Sequence, residues 1–207
     1  MKKSDKSGLA KGTLYFMSAQ AAIMISGYVV HAAVGRLLGP ADYSIFGIII
    51  SIMTLINILF TTGIPQASSR FIAMAEENIN QIIKISIKLQ IIFSIIIFFI
   101  YFISSQTIAD ILGDPELSKY IRISTFAIPI YAIYSIYGGF LNGLRLYGKQ
   151  ALAIIIQSIT KVICVIGFIL LGYAIYGAIV GYILGTSMGM IVGWLYIRDI
   201  KIKNILS

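Results

Sequence analysis

Lys161 is the residue whose position most demands a chemical explanation. It stands near the middle of an apolar stretch, residues 151–171, where a lysine costs about 2.5–3.5 kcal/mol on insertion scales. Gln150, Gln157, Lys161 and Cys164 follow one another at steps of seven, four and three, so a helix places them on one face. A cation flanked by amides suits a site that holds an anionic group such as phosphate. The other reading is a lysine that snorkels or satisfies carbonyls between helices. Gln20, Gly27 and His31 stack in the same way in the first apolar stretch. His31, the single histidine, either carries a proton near neutral pH or makes a neutral hydrogen bond between helices. Arg36, one turn later, reaches a cavity mouth or pairs with headgroup phosphates. Asn57 lies beside a line of Ser44, Gly47, Ser51, Thr54 and Thr61. The small and hydroxylated residues read as helix packing, which leaves Asn57 as the polar candidate. Tyr120, Tyr131, Tyr134 and Tyr137 share one broad face, suited to core packing or to stacking on a sugar.

These residues must be positioned by membrane helices. Six apolar stretches, about 13–38, 43–64, 85–105, 120–141, 151–171 and 176–197, are each long enough to cross a hydrocarbon core of roughly 30 Å. With 58% hydrophobic and 12% charged residues, the chain has too little polar surface for a soluble fold. The expected fold is an all-α integral membrane protein of six transmembrane helices forming one domain over residues 1–207. The first stretch is read as a span and not a cleaved leader, because its apolar run continues to Leu38.

Charge gives the orientation. Lys2, Lys3, Lys6, Lys11, Arg70, Lys84, Lys88, Arg145, Lys149, Arg198, Lys201 and Lys203 fall in alternate gaps and the termini. Only Arg36, Lys119 and Arg122 fall on the other side, with Asp42, Asp110, Asp114 and Glu116. The positive-inside rule then puts both termini in the cytoplasm of a multi-pass cell-membrane protein. The net charge of +8 thus has a topological cause, and no nucleic-acid partner is expected. Nucleotide-binding loops, zinc spacings and paired catalytic carboxylates are not seen in the sequence; no enzyme activity, metal or cofactor is expected.

The sixth stretch repeats Gly177, Gly181, Gly185, Gly189 and Gly193 every four residues. This is a groove for close helix approach, and Gly185→Ala is expected to be milder than Gly185→Leu. Pro65 should close the second span and Pro129 should kink the fourth. Residues 66–83, with an apolar stripe of Phe71, Ile72, Met74, Ala75 and Ile79, read as an interfacial helix.

The segment Gly35-Arg36-Leu37-Leu38-Gly39-Pro40-Ala41-Asp42-Tyr43, continuing through Phe46 and Gly47, resembles the turn between the first two helices of polysaccharide biosynthesis flippases. Gly63-Ile64-Pro65-Gln66-Ala67 with Ser69-Arg70-Phe71 resembles the end of their second helix, and Ile128-Pro129 through Gly139, Asn142-Gly143 and Tyr147-Gly148 their fourth. Their superfamily also holds multidrug and toxin extruders and lipid II flippases. The resemblance implies two pseudo-symmetric lobes with a substrate cavity between them, of which this sequence looks like the N-terminal lobe. It implies transport of lipid-linked oligosaccharide or polysaccharide precursors, with Lys161 drawing the anion, Gln157, Gln20 and His31 lining a polar path, and Arg36 at the outer mouth. The partners are then membrane lipid, a lipid-linked sugar, and a second six-helix lobe or another copy of the chain. An ion-coupled multidrug exporter lobe is a second reading, and a non-transporting structural subunit or inactive fragment a third.

The charge pattern predicts which ends an impermeant reagent can reach. With Cys164 replaced, single cysteines at Ser4 and Asn204 should resist an impermeant thiol reagent in intact cells, while one at Asp114 should react. The reverse labelling pattern refutes the orientation.

Overall fold

The computed structural model describes the backbone of residues 3–75 and 78–206, with side chains for 12–75 and 78–199. Lys2 lies outside the described residues, as do the side chains of Lys3, Lys6, Lys11, Lys201 and Lys203. Among the described residues the chain is helical, in the order α1 (Lys3–Thr62), α2 (Ile64–Met74), α3 (Ile79–Ile103), α4 (Ser105–Ile111), α5 (Leu117–Ser124), α6 (Ala127–Gly143), α7 (Tyr147–Phe168), a wide turn Ile169–Tyr173, and α8 (Ala174–Leu206). Among the described residues four continuous segments are long and apolar enough to cross a membrane: Gly12–Met74, Ile79–Ile103, Leu117–Gly143 and Tyr147–Asp199.

Two of these segments double back. Gly12–Met74 would measure about 95 Å if straight, three times the hydrocarbon thickness. It folds at Gly39, whose φ of 83° and ψ of 178° suit glycine and no helix. Residues twelve apart lie about 18 Å apart in a straight helix. Yet the Tyr43 hydroxyl is 3.3 Å from His31 Nδ1, so the chain reverses between them. Tyr147–Asp199 reverses at the wide turn, where Gly172 (φ 88°) and Ala174 (φ 47°) take positive φ. There α7 and α8 run antiparallel: Gly177 meets Phe168, Gly181 meets Val165 and Gly185 meets Lys161.

Proline accompanies two of the remaining breaks. Its ring clashes with the carbonyl four residues back, and it has no N–H to donate. Pro65 follows the interruption at Gly63 between α1 and α2. Pro129 follows the Thr125–Phe126 turn between α5 and α6, where the Thr125 carbonyl accepts instead from the Ile128 N–H at 3.0 Å. Residues 66–83 are not one interfacial helix. Asn78, in the left-handed region at φ 67°, separates α2 from α3. Helix α2 is instead pressed onto α6: a Cβ at Gly139 would stand 2.6 Å from the Pro65 carbonyl oxygen, and one at Gly143 2.7 Å from that of Ser69.

The glycine series of α8 explains how three helices share one seam. An i+4 repeat turns by roughly 40° per step. Gly177, Gly181 and Gly185 therefore face α7, Gly189 faces both Gln157 of α7 and Tyr134 of α6, and Gly193 faces Tyr137 of α6. The outside of the bundle is apolar, with Ile92, Ile95, Ile96, Phe99 and Ile100 of α3 all exposed. That is the surface of a helix that faces lipid.

The measured approach sharpens the expectation at Gly185. A Cβ there would lie 2.5 Å from Lys161 Cβ and 2.7 Å from its Cα, so even alanine overpacks the seam, a change that costs about 1–3 kcal/mol. Thermal unfolding in detergent should show Gly185→Ala clearly destabilised and Gly185→Leu more so. Gly167→Ala, where a Cβ meets nothing within 4 Å, should be neutral or stabilising.

Candidate functional site

A cavity of about 460 Å³ lies between both limbs of α1, α2, α6, α7 and α8, with Ile23 the contribution of the first limb. Helix α7 presents Gln150, Gln157 and Lys161 to it from one face. The part of α1 after Gly39 contributes Thr54, Asn57 and Thr61, and α2 adds Gln66 and Ser69. Helix α6 supplies Tyr131, Tyr134, Ser135 and Asn142, and α8 supplies Tyr182 and the bare backbone at Gly189 and Gly193. Without those glycines α8 would stand farther from α6 and α7, so the seam that packs the helices also shapes the wall.

Lys161 is buried, with 9% of its surface exposed. Its ammonium is 5.4 Å from the centroid of the Tyr182 ring, a cation–π distance. Lys161 makes no hydrogen bond or ion pair with the described residues. The ion pair that is formed among them, Lys119 with Glu116, is exposed at the far end. No Asp or Glu among the described residues lines the cavity, so its described lining carries a positive formal charge. Gln157 accepts a hydrogen bond from the Tyr134 hydroxyl at 2.8 Å, which fixes the amide and the ring against each other. Asn57 is 8% exposed, and its side-chain oxygen has no hydrogen-bond partner. Among the described residues no three His, Cys, Asp or Glu side chains converge on a metal-binding position.

The structure thus brings together Lys161, Gln157 and Asn57, and leaves His31, Gln20 and Arg36 outside the cavity lining. His31 sits at the Gly39 turn, edge-on to Tyr43 and Phe46 at centroid distances of 5.9 and 5.8 Å. Arg36 is exposed near the same turn, and Gln20 is exposed on the first limb of α1. Two contributors escaped the sequence reading. Tyr182 was hidden among the glycines of α8. Gln90, an amide in the apolar α3, is 1% exposed, and its burial cost is the signal that identifies it.

Gln90 braces the wall behind the cavity. Its Nε2 donates to the Ala132 carbonyl at 3.1 Å and lies 3.2 Å from Ser135 Oγ and 3.4 Å from the Phe60 carbonyl. Phe60 is in the last turn before the Gly63 break, where helix carbonyls lose their partners. Ser135 Oγ is also 3.1 Å from that carbonyl.

The family model for polysaccharide biosynthesis proteins matches residues 9–205. The chain belongs to the polysaccharide biosynthesis protein family. Solved structures share the fold at low identity. One is a multidrug resistance MATE family transporter of the MOP superfamily in an outward-facing conformation: TM-score 0.84, 18% identity, 94% of this chain and 46% of that one. A second is a MOP superfamily transporter from Pyrococcus furiosus, described as having a binding pocket of reverse polarity that suggests a different function: TM-score 0.82, 18% identity, 93% and 45% coverage. A third is MATE in the straight conformation: TM-score 0.81, 19% identity, 94% and 46% coverage. The chain spans about half the length of these proteins, with the fold of one transporter lobe. No curated protein matches the sequence.

Replacing the brace should cost stability. Gln90→Leu leaves buried carbonyls without their donor, at about 1–3 kcal/mol. Its melting temperature in detergent should fall below the parent's. An unchanged melting temperature means that water or another donor already serves those carbonyls.

Proposed function

We propose that the chain is one lobe of a flippase that moves lipid-linked oligosaccharide or polysaccharide precursors across the cell membrane. The lobe crosses six times, at about 13–38, 43–64, 85–105, 120–141, 151–171 and 176–197, with both termini in the cytoplasm. The reversals at Gly39 and at Ile169–Tyr173, inside two of the four continuous segments, support that count. Translocation needs no covalent step. It needs a polar interior that shields a charged headgroup from hydrocarbon while the lipid tail stays in the bilayer.

The observation that carries this reading is Lys161, a buried cation in a cavity with no acid among its described lining residues. Such a cavity favours phosphate or diphosphate, and Gln157 and Asn57 add uncharged polar contacts. An exporter lobe for cationic drugs would need a carboxylate at this place, so the lining argues against it. Alternating access by rocking needs two halves. The partner is therefore a second six-helix lobe or a second copy of this chain, with Gln20, His31 and Arg36 on surfaces outside this cavity lining.

Lys161→Met removes the insertion cost of about 2.5–3.5 kcal/mol. It should leave the melting temperature unchanged or higher while abolishing transport of labelled lipid-linked sugar by the complete assembly in proteoliposomes. Lys161→Arg should keep part of the activity, since the charge stays and its geometry changes. Normal transport with lowered stability in Lys161→Met would make the lysine a structural donor and end this reading.

A further inference from the structure

A second groove lies away from the cavity, where the first and the last of the apolar segments begin. It encloses about 350 Å³ between Gly12 and Tyr15 of α1 and Arg145, Tyr147, Gly148 and Lys149 at the entry to α7. Its two sides interlock. A Cβ at Gly12 would stand 3.1 Å from the Tyr147 ring, and one at Gly148 3.4 Å from the Tyr15 ring. Each tyrosine thus lies on the bare backbone of the opposite helix.

Charge in the groove is one-sided. Arg145 and Lys149 both line it, and among the described residues no carboxylate does. Neither forms an ion pair with a described residue. The Lys149 ammonium is 5.1 Å from the centroid of the Tyr196 ring, which positions the charge without neutralising it. Arg145 is placed by its backbone. The Leu146 N–H donates to the Leu141 carbonyl at 2.8 Å, and the Arg145 N–H to that of Asn142 at 2.9 Å. This pair of bonds closes α6 through a left-handed residue, a place usually given to glycine. Arg145 fills it at φ 57°.

The border of the groove is apolar. Leu152, Ile159 and Ile163 follow Gly148 at steps of four, seven and four, so they continue its face along α7. All three are exposed, as is Phe16, one turn beyond Gly12 on α1.

We propose that this groove binds an anionic phospholipid, with Arg145 and Lys149 on the headgroup phosphate and the acyl chains along the face from Leu152 to Ile163. The proposal needs the chain to span a membrane and is independent of what the chain transports. Basic pockets between the cytoplasmic ends of membrane helices hold such headgroups. Tyr15 and Tyr147 suit the same depth, since tyrosine collects at the interface. With both termini in the cytoplasm, the lipid is one of the inner leaflet. A soluble phosphate would satisfy the two cations and leave the apolar border bare. A zwitterionic lipid would cover the border but bring a cation of its own towards Arg145 and Lys149. An anionic lipid meets both demands.

Native mass spectrometry of the delipidated protein in detergent tests this with dioleoyl phosphatidylglycerol, dioleoyl phosphatidylcholine and glycerol 3-phosphate. The first copy of phosphatidylglycerol should bind roughly thirtyfold tighter than phosphatidylcholine, the worth of two basic contacts at a membrane surface. Arg145→Asn with Lys149→Gln should bring the two lipids level. Asparagine accepts a left-handed backbone, so the cap and the melting temperature should survive. Should that pair melt lower, Lys149→Gln alone leaves the cap untouched and should cut the preference about fivefold. Arg145→Lys keeps the charge and should keep most of the preference. Arg70→Gln with Lys84→Gln removes two cations that do not line the groove, and should change nothing. A parent without preference, or an unchanged preference in the groove variants, overturns the site. Equal loss in the Arg70 and Lys84 pair overturns it too, since diffuse surface charge then suffices. Displacement of the lipid by an equal concentration of glycerol 3-phosphate makes this a site for soluble phosphate and refutes the lipid.

Discussion

Hydrocarbon offers no hydrogen bonds, so a chain that spans it must satisfy its own polar groups or shelter them in a cavity. The clearest departures from a plain helix here answer to that constraint. Several breaks lie beside a glycine, a proline or both, and the one at Gly63 is equipped with side-chain donors. Where the helix stops at Gly63, Gln90 reaches across from α3 and Ser135 from α6 to the Phe60 carbonyl. At the Thr125–Phe126 turn the carbonyl that Pro129 cannot serve is taken up within the turn. The polar side chains of the core therefore serve first to repair the backbone.

The same solvent removes the usual reason for helices to associate, since lipid is as apolar as leucine. Close contact has to come from shape. The glycine series of α8 provides it, and its slow rotation around the helix hands the contact from α7 to α6. With three helices drawn to one seam and α2 pinned to α6 at Gly139 and Gly143, the remaining space between them and α1 is the cavity. Packing and site formation have one cause.

Charge gives the cavity its character. Among the described residues its lining holds one buried lysine, five side-chain amides, four tyrosines and no carboxylate, which gives it a positive formal charge. The pairing of Tyr134 with Gln157 and of Lys161 with the Tyr182 ring holds those groups in place without neutralising the charge. The sign of a pocket is set by a few side chains on a shared scaffold, which is why likeness of fold to MATE transporters leaves the substrate open.

The sequence alone determined the class of molecule, because the cost of apolar surface in water and of charge in lipid depends on composition and run length. It marked Lys161, Gln157 and Asn57 by the same reasoning: a charge or an amide in an apolar run is expensive wherever it lies. It also marked the glycine repeat and the residues that carry the family likeness. Tertiary structure decided what periodicity cannot express. Gln20, His31 and Arg36 share the polar logic of Lys161, but none of them lines the cavity, to which the first limb of α1 contributes Ile23. Tyr182 and Gln90 gained their roles from partners dozens of residues distant, on helices whose mutual placement is set by side-chain shape at the seam. Residues 66–83 had the stripe of an interfacial helix, and contact with α6 drew the first part of it into the bundle. Burial costs are local and can be read along a chain, whereas the choice of which neighbour meets them is made by packing in three dimensions.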